Sequence, residues 1–464
     1  MHAPFDIAAD LDTPVSAYRK LAAFEPVFLL ESVEHGTTLG RYSFIGLGVT
    51  KTVRLVGDLL EVDGKARPAG TGAELLAVLR QELAACPRMA AGGTEGLKLP
   101  FQGGLVGSIG YDFVRRVERL PRLAVREADA PELNLVSPRS VLVFDHSSRR
   151  AALLHSGAEW ERQSLRREII GALRGAVGPA SLRTGHEPPR ASMSREVFTE
   201  RFGMVKEHIA KGDVFQLVLS VRFSGQCRTE PFEVYRALRL TNPSPYMYLL
   251  ELPGQTLVGS SPEALVKLEN GVASLRPIAG TRKRGATEQL DVALETELLA
   301  DAKEAAEHVM LVDLARNDLG RVAEAGTVAV GPYRSIERYS HVMHIVSGVQ
   351  GRLKPGKDAL DLLAATFPAG TVVGAPKVKA MEIIEQNEPV GRGFYAGTVG
   401  YLSVTGDLDM AIAIRTIEFR DGRYAYQAGA GIVEASTAEA EYEEIRSKVG
   451  ALERAMDLAA EGIG

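Results

Sequence analysis

An α+β fold built on large antiparallel sheets is the architecture this chain encodes, on three grounds. Its 464 residues, 45% of them hydrophobic, suffice for a substantial core, as two or three ordinary domains or one large layered body. Strand-like and helical segments are interleaved without the regular strand–helix alternation of a doubly wound parallel sheet. Two Gly-spaced strand patterns that end in Gly-Tyr, GGLVGSIGYD at 103–112 and YAGTVGYLS at 395–403, hint at an internal duplication.

In chain order, apolar runs at Pro26–Leu30, Tyr42–Gly46 and Ser140–Phe144 read as strands, and Gly72–Ala85 as an amphipathic helix. Over 176–194, AVGPASLRTGHEPPRASMS, periodic hydrophobics give way to Pro, Gly, Ser and His, the mark of a linker. It separates a first region, 1–175, from a second, 195–464, and the two are expected to pack as one body. The second region holds helices near 195–211, 231–240, 289–312, 358–366 and 376–386, with strands between them.

Composition narrows the function. The net charge of -5, with acids and bases mixed along the chain, leaves no basic footprint for nucleic acid or an anionic membrane and favours small-molecule chemistry. Only Cys86 and Cys227 are present, far apart, and MHAPFDIAADLD has neither a charged n-region nor an apolar h-region. No apolar run approaches the roughly 18 residues of a membrane span. A soluble protein of the reducing cytoplasm is expected.

The chemistry begins with carboxylates. Glu304 and Glu307 in DAKEAAEH, and Glu441 and Glu444 in EAEYEEIRSK, are two pairs spaced by three. On a helix each pair shares a face. Such pairs either lie on solvated surfaces or, turned toward each other, crowd four negative charges into a cavity that only a cation makes cheap. Magnesium, with its hard oxygen ligands and places kept for water and an anionic substrate, is the natural candidate.

Alternation along DLDMAIAIRT puts Met410, Ile412 and Ile414 on one face and Ala411, Ala413 and Arg415 on the other. In YAYQAGAGIV, Gln427, Gly429 and Gly431 share a face, and glycine within a strand marks close approach of a ligand or another backbone. Arg415 is then either a carboxylate anchor on a pocket floor or half of a structural ion pair. FPAGTVVGAPKVKAMEII combines a Gly-rich turn, able to cradle an anion, with a helix, but it lacks the Walker spacing, and GLGVT fails the GxGxxG test. Nucleotide binding is unsupported. His341 and His344 lack zinc-like partners; each reads as a core histidine or, more sharply, a general base. No GxSxG elbow or protease-like cysteine setting suggests a hydrolase.

Seven ordered segments, SPEALVKL, RPIAGTRKRG, EAAEHVMLVDLARNDLGRV, RYSHVMHIVS, FPAGTVVGAPK, GDLDMAIAIRT and AGAGIV, give the chain a resemblance to the chorismate-utilising enzymes, and within them to the synthase components of anthranilate synthase. The resemblance covers nearly the whole chain. It implies a single α+β body, a sandwich of antiparallel sheets surrounded by helices, around a magnesium-dependent chorismate site. Relatives that add water to the ring carry a lysine base where Gln216 stands here, and the usual aminodeoxychorismate synthases have PIKGT where this chain has Ala279. Gln216 cannot activate water and Ala279 offers no nucleophile, so ammonia is expected to attack chorismate directly.

The roles implied are these. Glu304, Glu307, Glu441 and Glu444 hold Mg2+. Tyr395 and Arg415 hold the enolpyruvyl carboxylate, while Gly280, Thr281, Gly429 and Gly431 orient the substrate and Lys448 adds positive charge. Glu263 acts as the acid for the departing hydroxyl, which requires a raised pKa. His344 removes the C2 proton, and Thr371 belongs to the substrate loop. FLLES, with Leu30, Glu31 and Ser32, and NPSPYMYLL, with Pro245, Tyr246 and Met247, resemble a tryptophan feedback site, although NPSP is also an ordinary turn. A separate glutaminase subunit, hence a hetero-oligomer, is implied, since neither cysteine has a Gly-x-Cys-x-Gly setting. Two other readings remain: an aminodeoxychorismate synthase component, and a non-catalytic protein that binds chorismate or tryptophan.

Overall fold

A computed structural model describes residues 4–32, 40–91, 99–178, 184–338 and 342–463. Its main sheet has 21 strands, and the named strand pairs are antiparallel. Strand Pro26–Glu31 is where the sheet divides, since Leu29 pairs with Ile45 on one side and with Leu249 on the other. One wing continues from Tyr42–Val56 through Leu133–Asp145, Gly104–Ile109, Thr398–Ser403 and Leu408–Ile412 to Ala264–Glu269. The other runs from Tyr246–Leu252 through Gln255–Ser261, Thr416–Arg420 and Arg423–Ile432 to Gln216–Gln226. Strands from both sides of the linker thus share one ladder. One apolar core spans them, with Ile45 and Leu142 of the first region and Leu257 and Ile417 of the second fully buried. Each such side chain contributes about 2 kcal/mol.

Two of the crossings between the wings are short. At 262–263 the chain leaves Gln255–Ser261 for Ala264–Glu269, and at 413–415 it leaves Leu408–Ile412 for Thr416–Arg420. The expected strand through Arg415 therefore ends early, at Ile412, and Arg415 turns the chain with a left-handed φ of 49°. The expected separation of Ile414 from Arg415 fails for the same reason, and both border one cavity.

Helices form at Gly72–Ala84, Arg195–Ala210, Pro231–Thr241, Ala359–Thr366 and Lys377–Asn387, close to expectation. The helix expected over 289–312 is instead two, Glu288–Ala300 and Ala302–Gly320. Asp301 breaks it by capping the second helix, accepting from the amides of Lys303 at 3.0 Å and Glu304 at 3.1 Å. The Gly-spaced segments are neighbours, with Gly107 opposite Gly400. A β-carbon at Gly107 would lie 2.1 Å from the Asn134 carbonyl oxygen, and one at Gly400 would lie 2.0 Å from that of Asp409, so close backbone approach explains both glycines. Within the expected linker, Arg190–Ala191 pairs with Phe223–Ser224, which pins it to the main sheet. A three-stranded sheet of Ile278–Lys283, Val342–Val346 and Ser335–Arg338 stands apart on its own small core, Leu298, Met343 and Ile345. His341 lies outside the described residues.

Candidate active site

The start of strand Gln216–Gln226, the end of Arg423–Ile432, the small sheet, helix Ala302–Gly320 and the C-terminal helix Ala438–Glu461 enclose a cavity of about 600 Å³. Among its walls are Gln216, Glu263, Gly280, Thr281, Glu304, Glu307, Thr371, Tyr395, Arg415, Gly429, Gly431, Glu441, Glu444 and Lys448. Of the catalytic, substrate and metal candidates, His344 alone is not part of that wall. It stands behind it, opposite Thr281 in the small sheet, with Nδ1 2.9 Å from the Gly280 carbonyl and 3.1 Å from Thr281 Oγ1. A carbonyl only accepts, so Nδ1 carries the proton and Nε2 is the basic nitrogen. Burial holds the His344 pKa below its usual value, which favours neutral imidazole.

The helical spacing does what a shared face requires, for both glutamate pairs line the cavity. Burial first, then the charge of Glu304, raises the Glu307 pKa; burial and Glu444 raise that of Glu441. Protein cations answer part of this charge. Arg282 pairs with Glu304 at 3.3 Å, Lys448 with Glu444 at 2.7 Å, and Gln216 donates to Glu307 at 3.4 Å. Among the described residues, no three carboxylates converge closely enough to hold an ion as they stand. The donor set still fits a hard divalent cation, because four mutually repelling carboxylates are what such an ion relieves. Binding would draw Glu304 and Glu444 from Arg282 and Lys448.

Another part of the wall is suited to an anion. Arg415 borders the cavity in a dense shell of protein, and burial lowers its pKa. Among the described residues no hydrogen bond or ion pair holds its guanidinium, so a ligand carboxylate would find a desolvated fork waiting. Glu263 occupies the neighbouring wing crossing. Burial pushes its carboxyl up to about 7, against the lowering effects of the Thr371 hydroxyl, Arg415 and Lys448. Thr371 Oγ1 lies close enough to the Glu263 carboxyl to favour its ionised form, but among the described residues it completes no well-formed hydrogen bond, so it is a polar atom still to be satisfied. A β-carbon at Gly429 would meet Val218 at 2.7 Å and the Tyr395 hydroxyl at 2.9 Å, and one at Gly431 would meet Gln216 Nε2 at 2.5 Å. These glycines admit pocket side chains to the floor. Lys448 also donates to the Gly429 carbonyl at 2.8 Å. Lys377, by contrast, is taken up by Asp318 at 2.8 Å and is no phosphate ligand.

Sequence reasoning missed Arg282, Lys303 and Ser447, of which the last two also line the cavity. Ser447 was within reach, since it follows Glu444 by three on the same helix face. The feedback-site elements lie elsewhere. Glu31 is buried and accepts from Tyr235 and from Arg239 at 3.1 Å, leaving carboxylate lone pairs to spare. Leu30 and Glu31 pair with Tyr248 and Met247, the Tyr246 hydroxyl donates to Asp409 at 3.1 Å, and Pro245 is buried. Ser32 Oγ is buried without a hydrogen-bond partner among the described residues.

This fold and cavity define a class. Residues 25–454 match the family of chorismate binding enzymes, and the chain belongs to that family. Among its relatives, anthranilate synthase component 1 of Mycobacterium tuberculosis is 46% identical over 98% of this chain and 92% of its own length. The component 1 of Thermus thermophilus is 45% identical over 98% and 97%. Among solved structures, anthranilate synthase component I from Streptococcus pneumoniae superposes with a TM-score of 0.78 at 34% identity, covering 91% of this chain and 94% of that one. MenF, the menaquinone-specific isochorismate synthase from Escherichia coli, shares the fold at a TM-score of 0.69 and 20% identity.

Proposed function

We propose that this chain is the synthase component of an anthranilate synthase, converting chorismate and ammonia to anthranilate and pyruvate. The observation that carries the reading is a largely desolvated Arg415, whose guanidinium among the described residues has no hydrogen bond or ion pair, together with Glu263, whose carboxyl is pushed up to about 7, in one cavity with four carboxylates. Arg415 and Tyr395 hold the enolpyruvyl carboxylate, and Thr281, Gly280 and the backbone at Gly429 and Gly431 orient the ring. Glu304, Glu307, Glu441 and Glu444 would hold Mg2+, which when bound supplies positive charge to the ring carboxylate. Gln216 leaves water unactivated, and ammonia adds at C2. Glu263 gives its proton to the leaving C4 hydroxyl. The C2 proton is assigned to His344, whose imidazole must reach past Thr281. As that proton leaves, the C3–O bond breaks, the ring becomes aromatic, and the enolpyruvyl group takes up a proton and departs as pyruvate. Lys448 adds positive charge beside the substrate.

Ammonia would come from a partner glutaminase subunit in a hetero-oligomer. The buried cysteines Cys86 and Cys227, neither in a disulfide, suit a cytoplasmic enzyme, and among the described residues no helix is long and apolar enough to cross a membrane. Tryptophan would act as feedback inhibitor at Leu30, Glu31, Ser32, Pro245, Tyr246 and Met247, with its ammonium at Glu31. Ser32→Phe would then give an active enzyme resistant to tryptophan; inhibition retained at unchanged tryptophan affinity would remove this site from consideration.

The experiment is product analysis of purified protein with chorismate, magnesium and an ammonium salt at mildly alkaline pH, with and without tryptophan. Fluorescent anthranilate with equimolar pyruvate, suppressed by tryptophan, is expected. An aminated product without pyruvate would mean an aminodeoxychorismate synthase, and chorismate binding without turnover would mean a binding protein.

A further inference from the structure

Behind the cavity floor lies an ion pair whose two side chains do not themselves line the cavity but bond to residues that do. Arg392 and Glu388 are 2% and 4% exposed and bonded twice, Nε to Oε2 at 2.9 Å and Nη2 to Oε1 at 2.7 Å. Arg392 also donates to the Val372 carbonyl at 2.7 Å and the Val218 carbonyl at 2.9 Å, and its guanidinium lies 5.5 Å from the Tyr395 ring centre and 4.9 Å from that of Tyr111. Glu388 Oε1 accepts from the Ser220 amide at 2.9 Å and its hydroxyl at 2.6 Å, and that hydroxyl accepts from Gln427 at 2.8 Å.

Three separate parts of the floor therefore meet on one pair: the turn of Thr371, the strand from Gln216, and Tyr395 with its neighbour Gly429. Stability alone does not account for this, because a buried ion pair is often no better than well-packed apolar side chains of the same volume. A planar, bidentate pair does fix angles that apolar side chains leave loose. We propose that Glu388 and Arg392 form a positioning unit for the reaction, locking the Tyr395 hydroxyl, the Thr371 turn and the Gly429 backbone into one floor beneath the substrate. The inference rests on the chorismate reading of that cavity.

Three variants test it: Arg392→Lys, Glu388→Leu combined with Arg392→Met, and Tyr395→Phe. Arg392→Lys keeps the charge but loses the fork, and kcat/KM for chorismate should fall about 100-fold, as a misplacement near 1 Å can cost. The apolar double variant should keep the melting midpoint of the parent and show a similar kinetic loss. Adding Tyr395→Phe to it should cost clearly less than in the parent, since the two act through one group. Amide exchange over 371–373 and 428–430, read by mass spectrometry on ligand-free protein, should accelerate in both Arg392 variants. Unchanged kcat and KM in the folded double variant, or unchanged exchange in Arg392→Lys, would reduce the pair to a structural element. If the double variant does not fold, Arg392→Lys decides by kinetics and exchange. Parent protein that makes no anthranilate would sink the reaction assignment, and the exchange measurement would still decide whether the floor is held by this pair.

Discussion

The two sides of the cavity are built by different means. The acidic side comes from two helices, each presenting glutamates three apart, and protein cations already hold two of its charges. Another side comes from places where the chain crosses between wings of the sheet, and among the described residues no hydrogen bond or ion pair holds the guanidinium of its arginine. On the proposed function, the contrast teaches that one side would need a cation able to compete with Arg282 and Lys448, while the other could bind an anion outright.

That contrast can be broken from its acidic side first. Glu307→Gln combined with Glu444→Gln, or chelation of the parent, should lower ammonia-dependent turnover by about 10³-fold or more, with magnesium restoring only the chelated parent. A magnesium titration followed by calorimetry reads the same loss without turnover, and equal affinity in the variant would mean that these helices do not hold the ion.

On the other side, Glu263→Gln should cost roughly 10²- to 10⁴-fold in kcat. At fixed free ammonia, parent kcat should fall as pH rises through about 7, because the acid is then deprotonated. A flat profile would remove Glu263 as the acid. Arg415→Lys should raise KM for chorismate about 10- to 100-fold and change kcat less, the loss expected of a charge-assisted bidentate contact. An effect confined to kcat would argue against carboxylate anchoring.

The smallest expected effect is on stability. The folded pKa of Glu263, about 7, exceeds its ordinary 4.5, so between these values the folded state holds a proton that the unfolded state has lost. Stability therefore falls as pH rises across that window. Glu263→Gln should relieve on the order of 2 kcal/mol at pH 8 and little at pH 4, measured by denaturant unfolding. A pH-independent difference would place the carboxyl in a more watery setting.

Legibility in the sequence follows the same division. The glutamate pairs were readable because helical spacing is local, and the glycines of YAYQAGAGIV because strand alternation is local too. Arg415 was found for a reason only half right, since its strand stops at Ile412 and a left-handed turn aims it. The break at Asp301 carried a readable N-cap signal that the longer helical periodicity masked. Nothing local marks Glu388 and Arg392, whose partners lie at Val218, Ser220 and Val372, nor the depth of His344, which depends on pairing with Ile278–Lys283.

The Glu263 carbonyl accepts from the amide of Ile412 at 3.0 Å, which stitches the two wing crossings to each other. On the proposed function, spreading the wings would strip Glu263 of its proton near neutral pH, by hydrating it and lowering its pKa, and would draw Arg415 away in the same motion. The seam along which such spreading would start is strand Pro26–Glu31, where the wings part and where Glu31 lies. On the proposed function, a molecule lodged there would need no contact with chorismate to slow the reaction, much as a wedge at the spine of a book loosens the grip of its covers.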